Sequence, residues 1–493
     1  MLISCSFFMT GLEGIMLTYN LKRDGEDSLY VQLYNFIKDD IIKGNLKANE
    51  KLPSKRSFSK HLKISVMTIE NAYSQLQLEG YIYSQERRGY FVSNLDEALL
   101  DKIHSNNTLN INQIKDRGID DNRIDEFDYE FDFKSNHIYS EKFPFSTWAK
   151  IMRKILSKRD ERLLKSMSYN GIEELRQAIA GHLYHFRGMR VSPNQIVIGS
   201  GTEYLYGLLI LLLGRDKVYA IEDPGYQKIG KIYKSNGVSC DYIPLDKSGL
   251  LVEELEKSSA DIVHISPAHH FPTGIVMPIK RRHELLKWAN KEGGRYIIED
   301  EYDSEFRYLG IPIQTLQSID HNQKVIYINT FSKSIAPSIR ISYMVLPSNL
   351  AQEFKERLGF YSCTVPSFEQ LTLAKFISEG YFERHINRMS THYNKQRNKI
   401  IKSIKDNDPD EKVTILEEDS GLHFLLKLNT DMTDKEIVST SRKASIRLSC
   451  LSEYYYNKQA KKDGVILINY SGIDYDRIEE AISRLMKILM SDL

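Results

Sequence analysis

Cysteine is scarce in this chain of 493 residues, with four in all. Cys5, Cys240, Cys363 and Cys450 stand far apart and form no CxxC pair, so a disulfide framework is excluded and no metal is expected. Long apolar runs are missing as well. The longest, residues 208–213, is far too short to span a bilayer. The N-terminus lacks the basic stretch of a secretory signal, and with the dispersed thiols this predicts a cytoplasmic protein. Net charge is nearly absent, at +1. Its distribution is less even: residues 29–93 carry ten Lys/Arg against six Asp/Glu, and residues 94–130 carry four against ten. A basic head followed by an acidic connector points to a polyanionic partner for the head alone.

What is present is an ordinary globular balance, 41% hydrophobic and 27% charged, over a length that predicts two or three folding units. Residues 1–15 show no periodicity and precede a second methionine, Met16, so they are set aside as a possible start-site artefact. Leu33, Phe36, Ile37 and Ile41 recur at helical spacing before Gly44. Ser54 is placed to cap a short helix carrying Phe58 and Leu62. A tight turn then leads into residues 66–78, where Val66, Ile69, Tyr73 and Leu76 repeat at three and four, the pattern of a helix-turn-helix. Residues 81–83 and 89–92 flank Arg87 and Arg88 as a two-stranded wing. Domain boundaries are expected at 16–93, at 94–130 for an acidic flexible linker, and at 131–493.

From Phe131 onward, strand-like runs at 195–198, 217–222, 262–266, 295–299 and 325–329 alternate with helical patterns, which predicts an α/β domain around a mainly parallel sheet. The large lobe is expected over about 160–350. A smaller α+β lobe is expected over about 355–493, with strands at 412–416, 422–428 and 465–469.

Four motifs in this second domain converge on one chemistry. Thr330-Phe331-Ser332-Lys333 follows a buried strand, so the lysine can be desolvated and its amine pKa lowered, as imine chemistry with an aldehyde requires. Asp300 and Tyr302 lie two apart at the end of another strand, hence on one side of it, where they can hold a pyridine nitrogen and a phenolate oxygen. Gly199-Ser200-Gly201-Thr202 opens an apolar helix whose free N–H groups suit a phosphate, with Thr330, Ser332 and Arg340 as further donors. Tyr226, in Asp223-Pro224-Gly225-Tyr226, can lie against a cofactor face.

The head, with Leu-Pro-Ser-Lys-Arg, Ser65 and Thr68, Ala-Tyr-x-x-Leu-x-x-Glu-Gly-Tyr and the Gly-Tyr-Phe-Val wing, resembles the GntR family of bacterial regulators. The second domain resembles fold type I aminotransferases of class I that use pyridoxal 5′-phosphate (PLP). Together they resemble the MocR subfamily. The resemblance implies a head-to-tail homodimer that regulates transcription by binding operator DNA through Lys55, Arg56, Ser65, Thr68, Arg87 and Arg88. It also implies Lys333 as the aldimine lysine, Asp300 as the pyridinium partner, Tyr302 as the partner of the ring oxygen, and Gly201, Thr202, Tyr226, Thr330, Ser332 and Arg340 as further cofactor contacts. An amine or amino-acid effector would then be sensed through an external aldimine. The alternative is an active aminotransferase with an appended DNA-binding head, and a third reading is a DNA-binding protein with a dead cofactor fold.

The chain also departs from these patterns. Val66 and Met67 open the recognition helix where many members carry arginine, which favours thymine methyl contacts and an A·T-rich operator. Phe271 replaces the asparagine of the enzymes' Asn-Pro-x-Gly, leaving Tyr302 more of the ring-oxygen contact. The carboxylate-clamping arginine of the enzymes falls at Asn469. Where a γ-aminobutyrate-responsive member has Met-Ser-Arg-Phe, this chain has Leu451-Ser452-Glu453-Tyr454, and Glu453 is expected to repel that effector's carboxylate.

Overall fold

The computed structural model describes residues 9–11, 14–22, 27–95, 128–135, 140–307, 314–417, 421–458, 461 and 463–490. The chain divides into two compact units, Met1–Glu126 and Phe127–Leu493. Most of the expected linker, residues 96–127, lies outside the described residues. Among the described residues no helix is long and apolar enough to cross a membrane.

In the first unit, β1 (Met9–Gly11) and β2 (Gly14–Met16) form a short antiparallel hairpin. It falls in the stretch set aside above. Three-residue strands are too short to show a period of two, so sequence patterning gives no sign of them. Next come α1 (Leu29–Ile42), α2 (Lys55–Leu62) and α3 (Val66–Leu78), then β3 (Ile82–Gln85) and β4 (Gly89–Val92), an antiparallel wing. Ser54 accepts from the Ser57 N–H and Ser65 from the Thr68 N–H, so both helices of the motif begin on a side-chain cap. Between them Lys63 takes the left-handed conformation, at φ 54°, which turns the chain sharply. Leu33, Ile37, Phe58, Ile69, Ala72, Tyr73 and Leu76 make the core. Val66 does not join it. That residue is 42% exposed and Met67 63%, because the first turn of α3 extends beyond the packed stripe. Leu17 is buried in the same core, and the Tyr19 ring stacks on Phe36 at 5.3 Å, so the segment before α1 is part of the head.

The second unit begins at β5 (Phe131–Asp132). Its main sheet contains β6 (Ile196–Gly199), β7 (Val218–Asp223), β8 (Ser239–Asp246), β9 (Gly249–Leu250), β10 (Ile262–Ile265), β11 (Tyr296–Glu301), β12 (Val325–Thr330) and β13 (Ser342–Val345). Their order is β6-β13-β12-β11-β10-β7-β8-β9. The run from β12 through β11, β10 and β7 to β8 is parallel, whereas β13 pairs antiparallel with both β12 and β6. Strand alternation sends Ile297 and Val325 to one face, against Leu285 and Trp288. Ile298, Ile326 and Ile328 go to the other, against Leu205, Leu209 and Phe354. Both faces are therefore covered by helices, and what stays open is the rim at the carboxyl ends of the parallel strands. In sheets of this type that rim is where ligands bind.

Sequence patterning missed β8, β13 and the two-residue β9. The burial of β8 is irregular, and β13 is a four-residue run between turns. The small lobe carries β14 (Val413–Leu416), β15 (His423–Leu428), β17 (Ser449–Cys450) and β18 (Val465–Asn469) in the order β14-β15-β18-β17, with β16 (Ile446–Arg447) paired parallel to β5.

Candidate cofactor site and DNA-binding head

The carboxyl ends of β7, β10, β11 and β12 bring the expected residues into one neighbourhood. Asp300, one residue before the end of β11, is in register with Ile328 of β12, two residues before Thr330, and Lys333 follows in the short helix Phe331–Ser334. Lys333 is half-buried, and burial lowers its amine pKa from the ordinary 10.5, with Asp303 opposing. Among the described residues its ammonium makes no hydrogen bond or ion pair, the condition of a lysine available for covalent chemistry.

Asp300 is buried, with a definite polarity. Tyr206 donates its hydroxyl to Oδ2, and the His264 Nε2 lies 3.2 Å from that same oxygen. The other ring nitrogen of His264 is 2.6 Å from the Tyr233 hydroxyl. Oδ1 is buried with no partner among the described residues. An orphaned carboxylate oxygen costs free energy unless some group donates to it, and a protonated pyridine nitrogen is such a group. Tyr206 and His264 were not singled out in the sequence. Their trace there is one of two tyrosines, with Tyr204, at the start of a largely aliphatic helix and a histidine in the buried strand Ile262–Ile265.

A cradle forms at the start of the helix Thr202–Leu213. Gly201 precedes it at φ 96°, and a Cβ there would lie 2.5 Å from Arg340 Nη2. Arg340 donates to the Ser200 carbonyl at 3.4 Å, with Glu203 at 3.9 Å. The Arg340 guanidinium thus lies against the N-terminus of this helix. Ser332 is half-buried in the short helix that follows β12. Thr330 differs from expectation as a free donor: its hydroxyl accepts from the Ser332 N–H at 3.1 Å and from Ser342 at 2.8 Å, because the chain must cap the short helix there. Tyr226 stands edge-on to Phe271, with ring centroids 5.8 Å apart and Asp300 in its electrostatic environment.

Tyr302 has its hydroxyl 3.2 Å from His269 Nδ1, and burial together with Asp303, Asp300 and Glu222 keeps it far from ionising. Asp303 holds the same Nδ1 at 3.0 and 2.9 Å. Glu222 is buried, accepts from the Ser266 N–H at 2.9 Å, and is pushed up to about 8 by desolvation. One expectation about the small lobe changes. The Glu453 carboxylate is turned to Lys134 at 3.1 Å and to the Cys450 N–H at 3.1 Å, so its charge is spent on a cap and an ion pair. Asn469, at the position of the enzymes' clamping arginine, accepts from the Ser471 N–H and hydroxyl within the same lobe.

In the head, Arg56, Arg87 and Arg88 are exposed, with Arg88 6.0 Å from the Phe91 ring. Lys55 departs from expectation. Its ammonium is 2.8 Å from Glu70 and lies over the Tyr90 ring, since α2 and α3 bring residues fifteen apart together. The Ser65 hydroxyl is 2.8 Å from that of Thr68, so the pair is already engaged in capping α3.

Residues 29–92 match the family model "Bacterial regulatory proteins, gntR family", and residues 131–485 match "Aminotransferase class I and II". The HTH-type transcriptional regulator YdeL of Bacillus subtilis is 36% identical over 95% of this chain and 98% of its own length. The probable rhizopine catabolism regulatory protein MocR of Rhizobium meliloti is 28% identical over 96% of each. Among solved structures, a kynurenine aminotransferase of Pyrococcus horikoshii, in complex with PMP, superposes with a TM-score of 0.66 at 22% identity, covering 79% of this chain and 98% of its own. That last likeness shows the fold alone.

Proposed function

The chain belongs to the MocR-like subfamily of GntR regulators, and on that premise we propose that it is a PLP-dependent, DNA-binding transcriptional regulator that senses a primary amine or amino acid. The observation that carries this reading is Asp300, gripped on one oxygen by Tyr206 and His264 and without a partner among the described residues on the other, with a desolvated Lys333 following the adjacent strand β12. PLP, when bound, supplies an electrophilic aldehyde carbon and an electron-accepting ring.

The residues present fit that group. Asp300 would take the ring N–H on Oδ1 and keep it charged. Arg340 with the Gly201–Thr202 turn would hold the phosphate, and Ser332 would add a hydroxyl. Lys333, with its lowered amine pKa, would bind the aldehyde until an incoming amine displaces it. Tyr302 would donate to the ring oxygen, and Tyr226 would cover the ring. An incoming amine that took the place of Lys333 would leave its amine near Asp303 and the small-lobe residue His423, and their differing contacts with it would favour one lobe arrangement over another.

In the head, the exposed Val66 and Met67 on the first turn of α3 support apolar contacts to thymine methyl groups and an A·T-rich operator, with Arg56, Arg87 and Arg88 on phosphates. A head-to-tail homodimer in the cytoplasm completes the proposal.

The test is an absorbance titration of the PLP-loaded protein with a panel of amines and amino acids. A stable spectral change for one class, lost in Lys333→Ala, is expected. Steady conversion of the cofactor to its amine form would mark an aminotransferase instead, and a chain that takes up no PLP would overturn the reading.

A further inference from the structure

Phe271 leaves a gap in the chemistry of the site. A phenyl ring cannot donate to the cofactor's ring oxygen, and here it stands perpendicular to Tyr302 and packs on His423. Tyr302 is left as the nearby donor, and a hydroxyl on a rotatable bond is a poor donor unless something fixes its hydrogen.

That fixing group is His269. Asp303 holds Nδ1 through both carboxylate oxygens, at 3.0 and 2.9 Å, and also accepts from the Leu422 N–H at 3.3 Å. A carboxylate accepts, so Nδ1 carries the hydrogen. The same N–H lies 3.2 Å from the Tyr302 oxygen. A protonated Nδ1 has no lone pair to accept with, so the hydrogen of Tyr302 must point elsewhere. The imidazole cannot swing away: Gly421, at φ 73°, closes over it so tightly that a Cβ there would sit 1.8 Å from His269 Cε1. Its Nε2 is buried without a partner among the described residues, so the ring is held from the Nδ1 side alone.

We propose that the buried Asp303–His269 pair is a positioning device for Tyr302, sharing the Nδ1 hydrogen with the tyrosine oxygen so that the tyrosine's own hydrogen is presented to the cofactor's ring oxygen. The inference rests on the PLP reading above. The titratable and charged groups around Tyr302 are Asp303, Asp300 and Glu222, with His270, His423 and Lys333 adjoining the two histidine faces. His269, Asp303 and His423 also bring one ligand atom each within 4.8 Å of one another. A metal there is disfavoured, because Asp303 already accepts from His269 and Leu422, and the two rings alone fall short of the three protein ligands of an ordinary zinc site.

A hydrogen bond to an oxyanion favours its charged form, so losing the Tyr302 donor raises the pH at which the bound cofactor's absorption changes. The experiment is a pH titration of that absorption in the full-length PLP-loaded protein. His269→Leu should raise the midpoint by about one pH unit, toward the value of Tyr302→Phe. His269→Asn keeps an N–H near the Nδ1 position and should hold the original midpoint, whereas His269→Gln moves it away and should behave as the leucine variant. The Asn and Gln pair carries the test alone if the leucine variant fails to fold. In a Tyr302→Phe background His269→Leu should add almost nothing. An unmoved midpoint in both the Leu and Gln variants, or an equal shift with and without the Tyr302 hydroxyl, overturns the inference while the PLP reading stands. Absence of any cofactor band in the unaltered protein overturns both.

Discussion

Tyr206, one turn into the helix Thr202–Leu213, donates its hydroxyl to Oδ2 of Asp300, at the end of the neighbouring strand β11. Both residues are buried, and the bond fixes which carboxylate oxygen is left for a ligand. Tyr206→Phe removes a donor from a desolvated carboxylate, a loss of about 1–3 kcal/mol. PLP affinity, followed by absorbance titration, should fall by about five- to 150-fold. Asp300→Asn should fall further, since it removes the charge as well.

Gly201→Ala tests the phosphate cradle. The position combines φ 96° with a Cβ path that ends 2.5 Å from Arg340 Nη2, so the variant must strain the backbone and displace the guanidinium. PLP should bind about tenfold more weakly or worse, whereas Gly207→Ala, in the same helix with nothing within 4 Å of the added Cβ, should bind as the parent does.

Lys55 and Glu70 separate phosphate contacts from internal pairing. Operator affinity should fall with salt, with a slope of about 0.9 per phosphate contact. Arg56→Ala should reduce the slope by about that amount. Glu70→Ala releases Lys55 to the backbone and should steepen it by a similar amount, with little effect on stability because the pair is partly exposed. Binding isotherms at several salt concentrations decide this.

Glu222 and His270, with Nε2 and Oε2 3.4 Å apart, set a pH dependence. Burial raises the folded Glu222 pKa from 4.5 to about 8, so the folded state binds the extra proton in that window. Its stabilising effect is present below 4.5 and is lost as pH rises toward 8. Burial lowers His270 from 6.5 to about 3, which costs stability as pH falls through that range. Thermal melts across pH should therefore show Glu222→Gln flattening the decline as pH rises from about 4.5 to about 8 while leaving the His270 loss on the acid side intact.

Much of this protein is written locally. The caps Ser54 and Ser65, the turn at Lys63, the buried strands ending at Asp300 and Thr330, and the Gly201 turn are set by neighbours a few residues apart, where propensity and periodicity act. They were legible for that reason, and with them Lys333 and Asp300. Tertiary structure alone decided the pairings across long separations. Tyr206 reaches Asp300 from 94 residues away, His269 meets Asp303 across 34, and Lys55 is taken from the DNA-facing set by Glu70 across 15. A side chain's type announces that it can donate or accept. Which partner consumes that capacity depends on which strands the fold lays side by side, and the periodicity of a single segment carries no record of that.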